Sequence, residues 1–193
     1  MKTMKRSLLF LFLCIVSAIA VAQTAGVKLT LPKPNYNADK DDPAWLTTAV
    51  QIHGHLGPAI IFGCRVGMAA LDAVGAQGYF DVEVTAQGPF AKPPQSCILD
   101  GLQISTGATL GKRNISVALA EEYVFTVKNK RTNVSIEIRP TPELLKLMWS
   151  RLEADHDEDD DHDAGAEMRR VEAVARQIAG MPLEKMMTVK KNL

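Results

Sequence analysis

The stretch QIHGHLGPAIIFGCRVGM, from Gln51 to Met68, decides how the chain is organised. Two histidines, His53 and His55, stand one residue apart directly before an apolar run that contains several glycines. The chain has four histidines, so this pair is half of its imidazole supply. The pair is either a set of metal ligands or the polar beginning of an ordinary buried helix. The choice between these two interpretations decides most of what can be inferred about function.

The apolar run after the histidines predicts a buried helix. Apolar side chains occur on all sides of the segment from Leu56 to Val74, and its small residues allow close contact with a neighbouring helix. We expect the helix to end near Gly75. A shorter helix, from about Pro43 to Ile52, is predicted ahead of the histidines because Asp41-Asp42 precedes a proline.

The rest of the chain mixes strands and helices without a regular alternation. Periodicity and turn residues predict strands at Tyr79–Ala86, Ile115–Leu119, Tyr123–Lys128 and Val134–Pro140. Further helices are predicted from Cys97 to about Gly107, from Thr141 to about Ala154, and from Glu167 to Ala179. This pattern indicates an α+β domain, with a mixed or antiparallel sheet packed with helices.

The first 22 residues have the features of a cleavable signal peptide. Lys2, Lys5 and Arg6 precede an apolar run, and Ala20-Val21-Ala22 is a small-x-small cleavage pattern. The sequence therefore predicts cleavage after Ala22 and a periplasmic or secreted protein, not embedded in a membrane. An uncleaved anchor is the alternative, although the run is short compared with the about 20 apolar residues of a membrane span.

The predicted segments are a signal peptide (1–22), a polar leader (23–42), an α+β domain (43–153), an acidic loop (154–165) and a C-terminal helix and tail (166–193). Removal of the signal takes away three basic residues and no acid, so the formal charge moves from +0 to −3. Without a strong basic field, nucleic acid is not an expected partner. The two remaining cysteines, Cys64 and Cys97, can pair, but two thiols do not make a disulfide scaffold.

Two ordered motifs carry a family resemblance. HGHLGPA leads into GCRVGMAAL, and CILDGLQISTGATLGKRNISV follows. Together they resemble the FmdE family of formylmethanofuran dehydrogenase proteins over roughly Ala44 to Ile138. The family's motifs run His-Gly-His-x-Cys-Pro-Gly before Gly-Tyr-Arg-Met-Gly, and Cys-x-x-Asp-Ala-Ile-Gln before Thr-Gly-Cys-Thr-x-Gly-Lys. The positions that match are His53, Gly54, His55, Pro58, Gly63, Arg65, Gly67, Cys97, Asp100, Gln103, Thr106, Gly107, Thr109, Gly111 and Lys112.

The resemblance implies an α+β fold, a homodimer, and a metal site built from the histidine motif and Cys97. Two departures remove thiols, because Gly57 and Ala108 stand where the family has cysteine. The family's added zinc ribbon is also missing, since the chain has no C-x-x-C pair. A site that relies on a first-motif thiolate must here be weaker, use water, or bind a harder ion.

The residues themselves are compatible with such a site. A glycine between two histidines lets the backbone bend, so that both imidazoles can reach one ion. Cys97 would add a thiolate, giving a His53, His55 and Cys97 set with an open position for water or a ligand. Cys64 lies nine residues beyond His55, about 13 Å along a helix, and is better interpreted as a small buried side chain.

Several residues of the second motif have both a functional and a structural interpretation. Asp100 either orients an imidazole or caps the helix after Cys97. Lys112 is either solvated or, with Gln103, Thr106 and Thr109, presents donors to an anionic ligand. The spacing from Gly107 to Lys112 is not that of a P-loop, so nucleotide hydrolysis is not expected.

The acidic segment ADHDEDDDHDAG is interpreted as a solvated loop, with weak collection of divalent ions as the alternative. The sequence thus predicts an exported zinc-type metal-binding protein with a binding or delivery role and a metal ion or small ligand as its partner. Two other functions remain open. One is an enzyme that uses the open coordination position, and the other is a non-covalent haem or tetrapyrrole binder with His55 as axial ligand.

Overall fold

The computed structural model describes residues 30–150 and 164–192. The chain divides into two compact units, residues 1–32 and 33–193, and the helices and strands described here belong to the second. The predicted signal peptide, the polar leader up to residue 29 and most of the acidic loop lie outside the described residues.

Six α-helices occur in the described residues, and we number them in chain order. They are α1 (Ala44–His53), α2 (Pro58–Val74), α3 (Cys97–Thr106), α4 (Pro142–Trp149), α5 (Ala164–Ala179) and α6 (Leu183–Met186). The predictions of α1, α2 and α3 are confirmed to within two residues at each end. Thr141 caps α4 as expected, because its Oγ1 accepts from the Leu144 amide at 3.2 Å. Within the ranges 30–150 and 164–192, no helix combines the length and hydropathy needed to span a membrane.

Five strands form one mixed sheet in the order β2-β1-β3-β4-β5. The strands are β1 (Val82–Gly88), β2 (Ile115–Leu119), β3 (Val124–Asn129), β4 (Ser135–Pro140) and β5 (Met187–Asn192). β1 pairs with β2 in parallel, with Val84 opposite Ile115, and every other pairing is antiparallel. The mixed sheet with helices packed against it confirms the predicted α+β class.

One face of the sheet is buried under α2. The side chains of β1 and β3 alternate between buried and less buried positions, as a half-covered sheet requires. Phe125 and Val127 from β3 and Ile136 and Ile138 from β4 are almost fully buried, and α2 packs against both strands. The helix α2 is therefore the centre of the core, as its all-round apolar sequence indicated.

Glycines allow α2 and α3 to pack with their backbones in contact. A Cβ atom at Gly63 would lie 2.1 Å from the carbonyl oxygen of Ile98, and one at Gly101 would lie 2.1 Å from the carbonyl oxygen of Ile60. Farther along, a Cβ atom at Gly67 would lie 1.9 Å from Ser105 Oγ. Because each of these Cβ atoms would overlap the neighbouring helix, only glycine allows α2 and α3 to approach this closely.

The structure corrects three predicted boundaries and adds one strand. β1 begins at Val82 rather than Tyr79, because Tyr79–Asp81 form a 3₁₀ turn in which Tyr79 has φ 57°. α4 ends at Trp149 rather than near Ala154, with Ser150 after its last turn. α5 begins at Ala164 rather than Glu167, so residues 164–165 of the predicted loop are helical. The strand β5 was not predicted at all.

An ion-pair cluster ties residues 36–42 to α5. Arg176 donates to both carboxylate oxygens of Asp42, at 2.8 and 2.9 Å, and Tyr36 also donates to Asp42. Glu172, which is almost fully buried, accepts from the Asn37 amide at 2.9 Å. These contacts hold the segment ahead of α1 against the C-terminal helix, although the two are more than 130 residues apart in sequence.

Candidate functional site

A left-handed glycine separates the two histidines. His53 is the last residue of α1, and Gly54 follows with φ 98°, a backbone conformation that favours glycine. The Gly54 amide donates to the Val50 carbonyl at 2.8 Å and closes the helix. His55 then forms an isolated bridge with Asn35, whose amide donates to Gly54. The chain therefore turns between the two imidazoles, as the glycine predicted.

Asp100 fixes the orientation of the His53 ring. Nδ1 of His53 donates to Oδ2 of Asp100 at 2.7 Å, which joins the end of α1 to the first turns of α3. The His53 side chain is 8% exposed. The carboxylate, and then the neighbouring Cys97 side chain, raise the pKa of His53 to about 9, against the opposing effect of burial. The His53 ring is therefore protonated at neutral pH in the metal-free protein.

The other ring nitrogen of His53 makes no well-formed hydrogen bond. Nε2 is buried and makes no hydrogen bond of normal geometry. The Cys97 side chain lies close enough to favour the charged ring. A buried, unpaired ring nitrogen beside a thiol is unusual in a folded core, since buried polar atoms are nearly always paired.

His55 lies against His53 in a different electrostatic state. The two ring centroids are 4.6 Å apart, with the planes tilted by 41°. Burial, and then repulsion from His53, lower the pKa of His55. The neutral ring keeps a lone pair that can bind a metal ion. A Cβ atom at Gly57 would lie 3.1 Å from Nε2 of His55, so position 57 faces this nitrogen.

The two cysteines of the described residues are both free and differ in environment. Cys97 is the first residue of α3, half-buried, and adjacent to the His53 ring. Cys64 is 1% exposed inside α2, and burial raises the pKa of its thiol to about 12. Cys64 therefore behaves as a small apolar side chain, which is the interpretation that the sequence favoured.

Asp100 does not cap α3. Ser96 occupies the N-cap position, and no side chain caps the helix there. The Asp100 carboxylate instead faces His53, the arrangement that orients a metal-binding histidine. No group of three or more His, Cys, Asp and Glu side chains within residues 30–150 and 164–192 is already arranged to hold a metal ion.

The remaining candidates lie at the other end of α3. Thr106 is buried and donates to the Leu102 carbonyl at 2.6 Å, and Gln103 Oε1 accepts from the Leu110 amide at 3.3 Å. Because α3 has ten residues, its two ends are about 14 Å apart at 1.5 Å per residue. These side chains stabilise the loop after the helix and do not adjoin Cys97.

The Thr109 and Lys112 side chains hydrogen-bond to each other. Lys112 Nζ donates to Thr109 Oγ1 at 3.4 Å and lies 5.8 Å from the centroid of the Phe80 ring. Thr109 Oγ1 also accepts from the Lys112 amide at 3.2 Å. The structure thus brings His53, His55, Cys97 and Asp100 together, and separates them from Thr106, Thr109 and Lys112.

Sequence reasoning missed one residue that supports the site and gave no role to one motif residue that supports the fold. Asn35 positions His55 through its backbone, which no side-chain pattern reveals. Arg65 donates from Nη2 to the Met181 carbonyl at 2.7 Å and links α2 to the turn after α5. Arg65 belongs to the first motif, so its match to the family pattern was the available signal.

Two known proteins resemble parts of this chain. A curated protein of Archaeoglobus fulgidus, named probable S-adenosyl-L-methionine-binding protein, is 22% identical over 106 residues, which are 55% of this chain and 29% of that protein. The matched region is thus less than a third of that relative's length. The crystal structure of a tungsten formylmethanofuran dehydrogenase FmdE-like protein from Syntrophus aciditrophicus is 12% identical, with a TM-score of 0.46, and covers 77% of this chain and 70% of that one.

The family comparison covers most of the folded unit. The family model described as "FmdE, Molybdenum formylmethanofuran dehydrogenase operon" matches residues 52–188. The match begins just before His53, includes both motifs, and continues into β5. It spans more than half of the chain, and the protein therefore belongs to the FmdE family.

Proposed function

We propose that this protein binds a zinc-type divalent metal ion through Nε2 of His53, the His55 imidazole and the Cys97 thiolate, in a binding or delivery role. Two imidazoles and one thiolate are a donor set that suits zinc. Asp100 would act outside the ligand set and hold the His53 ring in place.

The unpaired Nε2 of His53 carries the proposal. This nitrogen is buried without a hydrogen bond of normal geometry, the Cys97 side chain lies within reach of the ring, and Nδ1 is fixed on Asp100 at 2.7 Å. A structural histidine would normally satisfy both nitrogens or expose one to water. A ring oriented through one nitrogen, with the other close to a neighbouring thiol, is the arrangement expected of a metal ligand.

Binding must displace a proton and move side chains. The raised pKa of His53 means that the ring carries a proton which the metal has to replace. Because the donors are not already arranged around a common point, His55 or Cys97 must rotate toward His53. We therefore expect metal affinity to increase with pH between about 6 and 9, with release of protons on binding.

Competition titration with a zinc chelator tests the proposal. His55→Ala and Cys97→Ala should each weaken zinc binding by about tenfold or more, because each removes one of three protein ligands. Cys64→Ala is the matched control, since it removes a thiol that burial keeps protonated. Equal zinc affinity in all four proteins would refute the assignment.

The alternatives from the sequence give different results in the same samples. A haem binder that uses His55 would show a Soret band after haem addition, and His55→Ala would abolish it. An enzyme would require a further acid or base near the ion, and Asp100 is already engaged by His53. Metal binding without catalysis is therefore the function that the geometry favours.

Export and a homodimeric state form part of the proposal. The basic residues and the Ala20-Val21-Ala22 pattern support export, and N-terminal sequencing of secreted protein should begin at Gln23. A second copy of the chain is the proposed partner, and light scattering should give twice the mass of the processed chain. A monomer mass would contradict the proposed homodimer, and an unprocessed N-terminus would contradict the proposed export.

A further inference from the structure

A cavity with a volume of about 480 Å³ lies at the ends of the three inner strands of the sheet, and none of the proposed metal ligands lines it. β1 ends there at Gly88, β3 begins there, and β4 ends there at Pro140, because β3 runs antiparallel to both neighbours. Side chains from α4 close another side. The volume is within the range of pockets that bind small molecules, about 300–1,000 Å³.

An unsatisfied acceptor lines the cavity. Oε1 of Gln95 is buried and has no hydrogen-bond partner. Since buried polar atoms are nearly always paired, this oxygen requires a donor that the described residues do not supply. If the Gln95 side chain turns this oxygen toward the cavity, a ligand N–H group would satisfy it, whereas a purely apolar ligand would not.

The charges at the cavity favour a cation. Glu121 and Glu122 both line it, and Glu122 pairs with Arg139 at 2.8 Å. Arg139 is also paired with Glu137 at 2.8 Å, so its charge is already shared between two carboxylates. Across the described part of the chain, no cation pairs with Glu121. One uncompensated carboxylate therefore faces the space.

Aromatic rings form the cavity's apolar wall. Tyr123 and Trp149 lie nearly parallel, with ring centroids 6.5 Å apart and planes 22° from each other. Tyr123 is itself packed edge-on against Phe90, at 5.7 Å, which fixes its ring. Aromatic faces attract both planar rings and organic cations.

We propose that this cavity binds a small organic cation with a planar body and an N–H-bearing head group, such as an aromatic amidinium or guanidinium. The head group would donate to Gln95 Oε1 and pair with Glu121, and the planar body would lie against Tyr123 and Trp149. This site is independent of the proposed metal site, so either can fail without the other.

A matched pair of probes tests the charge requirement. Benzamidine and benzamide have the same shape, and only benzamidine is a cation at pH 7. The chain has two tryptophans, so Trp45→Phe leaves Trp149 as the sole tryptophan, at the cavity. Titration should change Trp149 fluorescence in a saturable way, with benzamidine binding at least about tenfold more tightly than benzamide. Saturation-transfer NMR of the unsubstituted protein gives the same comparison if Trp45→Phe disturbs folding.

Two substitutions locate the binding. Glu121→Gln should weaken benzamidine about tenfold and leave benzamide unchanged, because it removes only the charge. Glu83→Gln is the matched control, since Glu83 is six residues before Pro89 along β1, about 20 Å from the cavity. The proposal would be overturned if the two probes bound equally or if Glu121→Gln had no effect. It would also be overturned if benzamidine gave no saturable signal below about 10 mM, since its Kd would then be well above the millimolar range.

Discussion

Asp100 accepts a hydrogen bond from Nδ1 of His53 at 2.7 Å, across the junction between two helices, and the two residues are 47 positions apart in sequence. This contact fixes the ring and leaves Nε2 without a partner beside Cys97. The close packing of α2 and α3 and the turn at Gly54 both serve this geometry. A substitution at any of these points should therefore change either the state of the His53 ring or the stability of the fold that maintains it.

Asp100→Asn should lower the pKa of His53 from about 9 toward its ordinary value of 6.5, because the carboxylate is the largest cause of the increase. A raised folded-state pKa contributes stability below pH 6.5 that is lost as pH rises through 9. The variant should therefore show a smaller loss of unfolding free energy over that range. Histidine NMR titration of metal-free protein measures the pKa, with Asp72→Asn as control. An unchanged His53 titration would show that Asp100 does not hold the ring.

Gly101→Ala should destabilise the protein, although alanine ordinarily favours a helix over glycine. The added Cβ atom would lie 2.1 Å from the Ile60 carbonyl oxygen, so α2 and α3 would have to separate. Overpacking costs about 1–3 kcal/mol, which should lower the melting temperature by about 2–12 °C. Gly111→Ala is the control, because the nearest atom to its Cβ would be Thr109 Oγ1 at 3.9 Å. Equal melting temperatures in the two variants would contradict the packing account.

Much of the fold was predictable because its strongest signals are local. The apolar composition around Gly63 predicted α2, and Gly75 marked its end. Thr141 marked the start of α4. The strand β5 was not predicted because it is an edge strand without a clear apolar face. It carries Lys190, Lys191 and the half-exposed Val189. The 3₁₀ turn at Tyr79 depends on tertiary contact, since its ring packs against Gly107.

The site was predictable only in part. Motif matches indicated His53, His55, Cys97 and Asp100, and the structure places these four near one another. Thr106 and Lys112 belong to the same motif as Cys97, but the length of α3 lies between them and Cys97. Which nitrogen of His53 is paired, and the role of Asn35, depend on side-chain and backbone geometry that sequence patterns do not encode.

Acidification should weaken the contact between residues 36–42 and α5. The Arg176 guanidinium, and then Tyr36 and the Asp39 amide, hold the pKa of Asp42 well below its ordinary value of 3.8. A depressed folded-state pKa gives stability above pH 3.8 that is lost as pH falls below it. The difference in unfolding free energy between the natural protein and Asp42→Asn, measured by urea titration, should thus be largest near pH 7 and shrink below pH 4. A difference independent of pH would exclude a charged Asp42 as the cause.

Gly57→Cys should restore the family's thiol at the metal site. A Cβ atom at position 57 would lie 3.1 Å from Nε2 of His55, so the new sulfur would be near the proposed ion. Thiolate favours soft metals, and the ratio of zinc to magnesium or manganese affinity should increase by about tenfold or more. Gly57→Ser is the control, because it adds a similar volume without a soft donor. An equal ratio in the two variants would remove position 57 from the site.

X-ray absorption at the zinc edge tests the central claim most directly. Zinc-loaded protein should show one sulfur at about 2.3 Å and two imidazole nitrogens at about 2.0 Å. The sulfur should disappear in Cys97→Ala and persist in Cys64→Ala. A zinc shell of oxygen and nitrogen alone in the natural protein, unchanged in Cys97→Ala, would contradict a metal site at His53, His55 and Cys97.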